Sequence, residues 1–221
     1  MRYKKLGLDS DSENQFYIFA KAFYDLHHGL PEKDSLQEFI RALSFTRPNF
    51  VLEKQIDSVF MTYVEQLILN QIAWLSYKTG NQEFALRIYI ELKSFYEKEE
   101  FNEIKLKIYP LILYNISTIV GRQERYVYMV ELCIEGIEYC KENGKLTVFP
   151  YLLFNKGYGL AKLKRHTEAK VSLCWAFSLF EALDKAELAA WLSVDCNEKF
   201  SYDFPINVEL LPERRKLFLT N

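Results

Sequence analysis

The chain has 221 residues, 49% of them hydrophobic and 26% charged, and a formal net charge of −2. That balance excludes an intrinsically disordered polymer and leaves no basic footprint for a polyanion. Eight glycines and six prolines are few for this length, which argues against many short strands and turns and for long helices. The first stretch, "MRYKKLGLDSDSENQFY", lacks the apolar run of a secretory leader. The apolar stretch "LILYNISTIV" is interrupted by Asn115 and falls short of the roughly 18–20 residues of a membrane span.

In chain order, capping-box patterns are read at "SENQ" (12–15), "SLQE" (35–38) and "TYVE" (62–65), each ahead of an apolar run with helical spacing. Stops are read at Gly29 before Pro31, at Gly80 and at Gly144. Helices are expected near 13–28, 35–46, 57–79, 82–98, 103–121, 126–142, 146–163, 167–183 and 186–199, and no stretch alternates with period two. The fold class is therefore all-α. Cys133, Cys140, Cys174 and Cys196 form no CxxC pair and are expected as reduced thiols in helix interiors, which places the protein in the cytoplasm. After Phe200, Pro205 and Pro212 break the helical pattern, so an extended tail against the last helix is expected. Leu188, Trp191 and Leu192 on that helix are more apolar than an end cap requires, which fits either a dimer contact or cover by the tail.

The chain repeats itself. Ala73, Ser117 and Gly157 are followed by Ala85, Met129 and Ala169, then by Leu92, Gly136 and Ala176, with Tyr89, Cys133 and Leu173 in between, at repeat steps of 44 and 40 residues. Small residues at these places let two helices of a helix–turn–helix unit approach closely. "YNISTIV", "FNKGYGLAKL" and "TEAKVSL" resemble tetratricopeptide repeats, although the units exceed the usual length of about 34 residues. That resemblance covers residues 57–184 and implies a right-handed superhelix whose first helices line the concave side. Residues 1–56 would start the solenoid as a helical pair and 185–221 would close it as helix and tail, in one continuous domain.

On each first helix an amide precedes a cation by seven residues: Gln71 and Lys78, Asn115 and Arg122, Asn155 and Lys162. Stacked, these would form a ladder of amides and one of cations, with Asn70 extending the first and Trp74, Tyr114, Thr118, Tyr151 and Tyr158 beside them. An amide offers both donor and acceptor and so pairs with an extended backbone without reading its sequence. A cation takes an acidic side chain or a free C-terminus. The arrangement points to a short peptide laid along the groove.

Three longer stretches, "LNQIAWLSYKTGNQEFALRIYIEL", "LYNISTIVGRQERYVYMVELCIEGIEYCKENG" and "LLFNKGYGLAKLKRHTEAK", together with "FYDLHHGLPEKDSLQEFIRAL", resemble the C-terminal domain of the Rgg/PlcR-type peptide-responsive regulators of Gram-positive bacteria. The resemblance implies cytoplasmic sensing of a re-imported signalling peptide by a homodimer, with asparagines on concave helices holding the peptide backbone. Asn115 and Asn155 match those asparagines, and either Gln71 or Asn70 stands at the first place. Regulators of that family begin with a helix–turn–helix DNA-binding domain. This chain opens without its Gln-x-x-x-Ala-x-x-x-Gly pattern, and the cluster Arg214, Arg215, Lys216 is small, so direct DNA binding by these residues is not expected.

Catalysis, metals and cofactors are not expected. His27 and His28 point to different helix faces, His166 sits at a turn, and no GxSxG, P-loop, HExxH or GxGxxG occurs. Cys140 and Cys174 have no histidine nearby in sequence. The alternative function is a stand-alone adaptor or a Rap-like regulator of a partner protein, for which Gln15 and Gln37 qualify by residue type.

Overall fold

A computed structural model describes residues 10–50, 61–100 and 102–204. The segments 1–9, 51–60 and 205–221 and residue 101 lie outside the described residues, and with them position 57, Pro205, Pro212 and the Arg214–Lys216 cluster; positions 61 and 62 are not helical, so the helix expected over 57–79 is corrected to a described start at Tyr63. The described residues are helical and hold no strand. The helices are α1 (Asp11–His27), α2 (Glu32–Ser44), α3 (Tyr63–Lys78), α4 (Gln82–Lys98), α5 (Glu103–Arg122), α6 (Tyr126–Glu142), α7 (Phe149–Lys162), α8 (His166–Ala182) and α9 (Ala186–Phe200). None of them is long and apolar enough to cross a membrane. The chain divides into two compact units, Met1–Ile119 and Val120–Asn221.

In the first unit α1 packs on α2, α2 on α3 and α3 on α4. Phe39, Leu43, Ile68, Ile72, Ile88 and Ile112 form its centre. Thr62 caps α3 as the sequence indicates: its hydroxyl accepts from Glu65 N, and the Glu65 carboxylate returns to the Thr62 N–H at 2.8 Å. The two earlier caps are corrected. The box of α1 is Ser10 with Glu13, two residues ahead of the expected Ser12. Helix α2 begins at Glu32, so Ser35 lies inside it, buried, and its N–H already donates to the Pro31 carbonyl at 2.9 Å. Pro31 fixes its own φ for a helix entry, and Glu32 and Asp34 complement the helix dipole without any side-chain cap. Pro110 lies within α5, where it offers no N–H to the carbonyl four residues back.

A latch joins the N-terminal hairpin to α3. Glu65, 4% exposed, accepts from Thr46 Oγ1 at 2.7 Å and from Arg47 Nε at 3.0 Å. Gln15 of α1, also buried, donates to Thr46 Oγ1 at 2.6 Å.

In the second unit α6 packs on α7, α7 on α8 and α8 on α9. The small residues of the repeat sit at these contacts: Ala169 and Ala176 are fully buried, and a Cβ on Gly157 would lie 2.5 Å from Leu173 Cγ and 3.2 Å from the Ala169 carbonyl. Beyond α9, Asn197 clamps the backbone of Phe204, donating to its carbonyl at 2.9 Å and accepting from its N–H at 2.8 Å. Leu192 is fully buried and Trp191 packs on Phe154 of α7 at 5.2 Å between rings, so much of the apolar face of α9 is spent within its own unit.

The turns share one closure. At Gly29, Gly80, Glu124, Gly144, Lys164 and Asp184 the residue two places past a helix end takes positive φ, and the following N–H reaches back to a carbonyl in the last turn, as Arg165 N does to Leu160 O at 2.9 Å. This is the Schellman closure, which favours glycine. Lys164, at φ 62°, has the Cβ that this region penalises. Lys164→Gly should therefore raise the unfolding free energy of the second unit by up to about 1 kcal/mol, as measured by urea denaturation, because relief of strain exceeds the added chain entropy.

Candidate peptide-binding site

The amides of the first unit meet around a tyrosine. Tyr89 of α4 is fully buried, and its hydroxyl donates to the Asn70 carbonyl at 3.3 Å. The same oxygen accepts from Asn115 Nδ2 at 3.0 Å, and that amide nitrogen lies 3.5 Å from Asn70 Oδ1. Because the phenol proton is spent on a carbonyl, the phenol oxygen must accept, which fixes which end of Asn115 faces it. Burial pushes the Tyr89 phenol well above its ordinary value, so it stays protonated and keeps this polarity at any physiological pH.

Asn70 and Asn115 are 8% and 5% exposed. Their remaining groups, Asn70 Nδ2 and Asn115 Oδ1, meet no hydrogen-bond partner among the described residues. The network thus holds one donor and one acceptor in place, the complement of the C=O and N–H of an extended backbone. Of the two alternatives for the first amide position, burial and hydrogen bonding join Asn70 to Asn115. Gln71 is half-buried beside them.

The other predicted residues of this unit flank the network on the same helices. Trp74 is half-buried with Lys78 Nζ 5.5 Å from its ring, and Lys78 also stands 3.9 Å from the Glu32 carboxylate. Tyr114 and Thr118 are half-buried on α5, and the Thr118 hydroxyl donates to the Tyr114 carbonyl at 3.0 Å. A cavity of about 430 Å³ in this unit, lined by Met61, Tyr63, Gln66, Tyr96 and Glu99, contains none of the predicted residues.

In the second unit Arg122 is exposed at the end of α5, and Asn155 of α7 is 6% exposed. The tyrosines of α7 are engaged. Tyr151 meets Phe180 edge-on at 5.0 Å, and its hydroxyl accepts from Lys185 Nζ at 3.0 Å. Tyr158 meets Phe200 of α9 edge-on at 5.3 Å, and two ammonium groups approach its ring, Lys162 Nζ at 5.6 Å and Lys199 Nζ at 5.3 Å. Sequence reasoning missed Tyr89, Lys185 and Lys199. In the sequence Tyr89 stands only within the buried repeat register. The lysines carry no repeat signal, because α9 follows the last amide–cation pair.

Two expectations are corrected. Cys133, Cys140 and Cys196 are buried free thiols, but Cys174 is exposed on α8. Burial pushes the Cys140 thiol up to about 11, so it is protonated at neutral pH and a poor nucleophile. Gln15 is buried and bonded to Thr46, so it is not presented to a partner protein. Gln37 is exposed on α2.

No protein-family model matches the chain, and no curated protein matches it by sequence. A solved structure does match the fold: the crystal structure of Bacillus thuringiensis PlcR in complex with the peptide PapR7 and DNA. It aligns at a TM-score of 0.56 and 15% identity over 82% of this chain and 69% of that one. The chain thus has an all-helical fold similar to that of PlcR.

Proposed function

We propose that this protein is a cytoplasmic peptide sensor that binds a short signalling peptide by its backbone and passes occupancy to transcription, acting as a homodimer. The observation that carries the reading is the pair of unspent amide groups on Asn70 and Asn115, nine-tenths buried and held by Tyr89. Neither of these two groups is sealed from solvent, so a ligand can reach both, and a peptide backbone would meet them with its own C=O and N–H without regard to side chains. The aromatic flanks at Trp74 and Tyr114 would take alternate apolar side chains of the ligand. Likeness of fold to a structure that holds both a peptide and DNA supports the regulatory part of the reading. Four free thiols suit a reducing compartment.

Titration with short hydrophobic peptides encoded near the gene should give saturable binding. Asn115→Ala and Asn155→Ala should each weaken all bound peptides about two- to tenfold, irrespective of sequence, since each removes backbone hydrogen bonds. Tyr89→Phe, which keeps the ring and frees Asn115 to rotate, should weaken them in the same sequence-independent way. Turnover of a substrate by the purified protein, with no such peptide bound, would refute the proposal.

A further inference from the structure

We infer that the seam of α7 and α9 is a carboxylate-binding site, formed by Lys162 and Lys199 over the Tyr158–Phe200 ring pair, and that it takes the C-terminal carboxylate of a hydrophobic peptide. The inference rests on the peptide-binding reading and adds to it an end of the ligand and a residue, Lys199, that the repeat pattern does not reach.

Lys162 ends α7 and Lys199 lies in the last turn of α9. Both ammonium groups approach the Tyr158 ring, at 5.6 and 5.3 Å, and Lys162 also stands 5.8 Å from the Phe200 ring. The half-buried rings exclude water from one side of the cations, which strengthens their attraction for an anion arriving on the other. Asp195, buried on α9, binds Lys199 at 2.9 Å and balances one of the two charges. Lys162 has no ion-pair partner among the described residues, so the seam keeps one uncompensated positive charge. Lys78, its counterpart in the repeat, already faces the Glu32 carboxylate. Lys185, on the N-terminal side of the seam, is taken up by the Tyr151 hydroxyl. The site matches one monovalent anion on a chain whose apolar groups meet aromatic rings, which describes the end of a hydrophobic peptide.

The test uses the full chain, immobilised, and three matched pools of short N-acetylated random peptides built without acidic residues. One pool ends in a free carboxylate, one in an amide, and one in an amide but with a single internal glutamate. Retained peptides are quantified by mass spectrometry. Recovery from the free-acid pool should exceed that from the amide pool about tenfold, the value of a charge-assisted bond, and the glutamate pool should resemble the amide pool. Lys162→Gln should remove most of this preference, and adding Lys199→Gln should bring the ratio close to one. Lys162 is exposed and its replacement leaves the fold intact, so it carries the test alone if uncovering Asp195 destabilises the double variant. Equal recovery of free acid and amide, or a preference that survives Lys162→Gln, would overturn the carboxylate site while leaving peptide binding standing. Recovery favouring the glutamate pool would overturn the C-terminal assignment in favour of an acidic side chain. If no pool is retained above the level of the bare matrix, the peptide-binding reading fails and this site with it.

Discussion

Glu65→Gln should destabilise the Met1–Ile119 unit by about 2–3 kcal/mol, the largest single-residue effect we expect in this protein. The carboxylate side chain is 6% exposed and faces Arg47, itself 18% exposed. It accepts from Thr46 Oγ1, from Arg47 Nε and Nη2, and from the Thr62 N–H. Glutamine keeps the shape but takes the negative charge from the Arg47 contact and turns one accepting oxygen into an N–H donor facing groups that themselves donate. It also loosens the cap of α3 and, through Thr46, the tie to Gln15 of α1. One side chain therefore serves three helices, and its loss should be cooperative.

The same contacts set a pH dependence. Burial by itself would raise the Glu65 pKa, but the hydrogen bonds from Thr46, Arg47 and the Thr62 N–H, with the Arg47 charge, outweigh it and hold the carboxyl below its usual 4.5. A folded-state pKa below the unfolded one contributes stability that is present above the unfolded value and is lost as pH falls through the folded value. Urea midpoints of the wild type should therefore drop in acid, below about pH 4.5, and those of Glu65→Gln should show a shallower acid limb from a lower plateau. A midpoint for Glu65→Gln within error of the wild type at neutral pH would mean the latch does not hold the hairpin.

Gly157→Ala should cost the second unit about 1–2 kcal/mol even though alanine is the better helix former by about 1 kcal/mol. The new methyl would stand 2.5 Å from Leu173 Cγ, 2.9 Å from Leu173 Cδ2 and 3.2 Å from the Ala169 carbonyl. A branching carbon and a backbone oxygen cannot move aside as a chain end can, so α7 and α8 must part. Gly121 is the control. A Cβ there meets Met129 Sδ at 2.7 Å and Cε at 3.0 Å, the end of a flexible side chain that can change rotamer. Gly121→Ala should be near neutral, because the helix propensity gained offsets the repacking. Thermal or urea unfolding of the pair distinguishes them, and equal effects at both positions would refute the close-approach argument.

What the sequence by itself determined was the part governed by local spacing. Apolar periodicity located the nine described helices, most of them to within one or two residues. The small-residue register at Ala73, Ala85, Ser117, Gly157 and Ala169 located where helices touch, and all of these are buried. Thr62 with Glu65, and the turns at Gly29, Gly80 and Gly144, were legible because a cap or a closure is built from residues within a few positions of one another. The same locality explains the misreadings. "SENQ" and "SLQE" fit the capping pattern, yet Ser10 and Pro31 stand at the helix starts, since a four-residue pattern recurs by chance inside helices too. Turns closed by Glu124, Lys164 and Asp184 in a glycine conformation carry no glycine to announce them.

Only the tertiary structure decided which polar groups meet. Tyr89 lies 19 residues from Asn70 and 26 from Asn115, and Glu65 lies 18 from Arg47, so no period of helix or strand connects them. Sequence could nominate Asn115, Asn155 and Lys162 as recurring types on one helix face. It could not say that Asn70 and not Gln71 would join the amide network, nor that Lys199 would arrive beside Lys162. Those choices depend on how far each helix is rotated and displaced against its neighbour, and that is set by the summed packing of side chains along the whole contact, not by the residues that end up bonded.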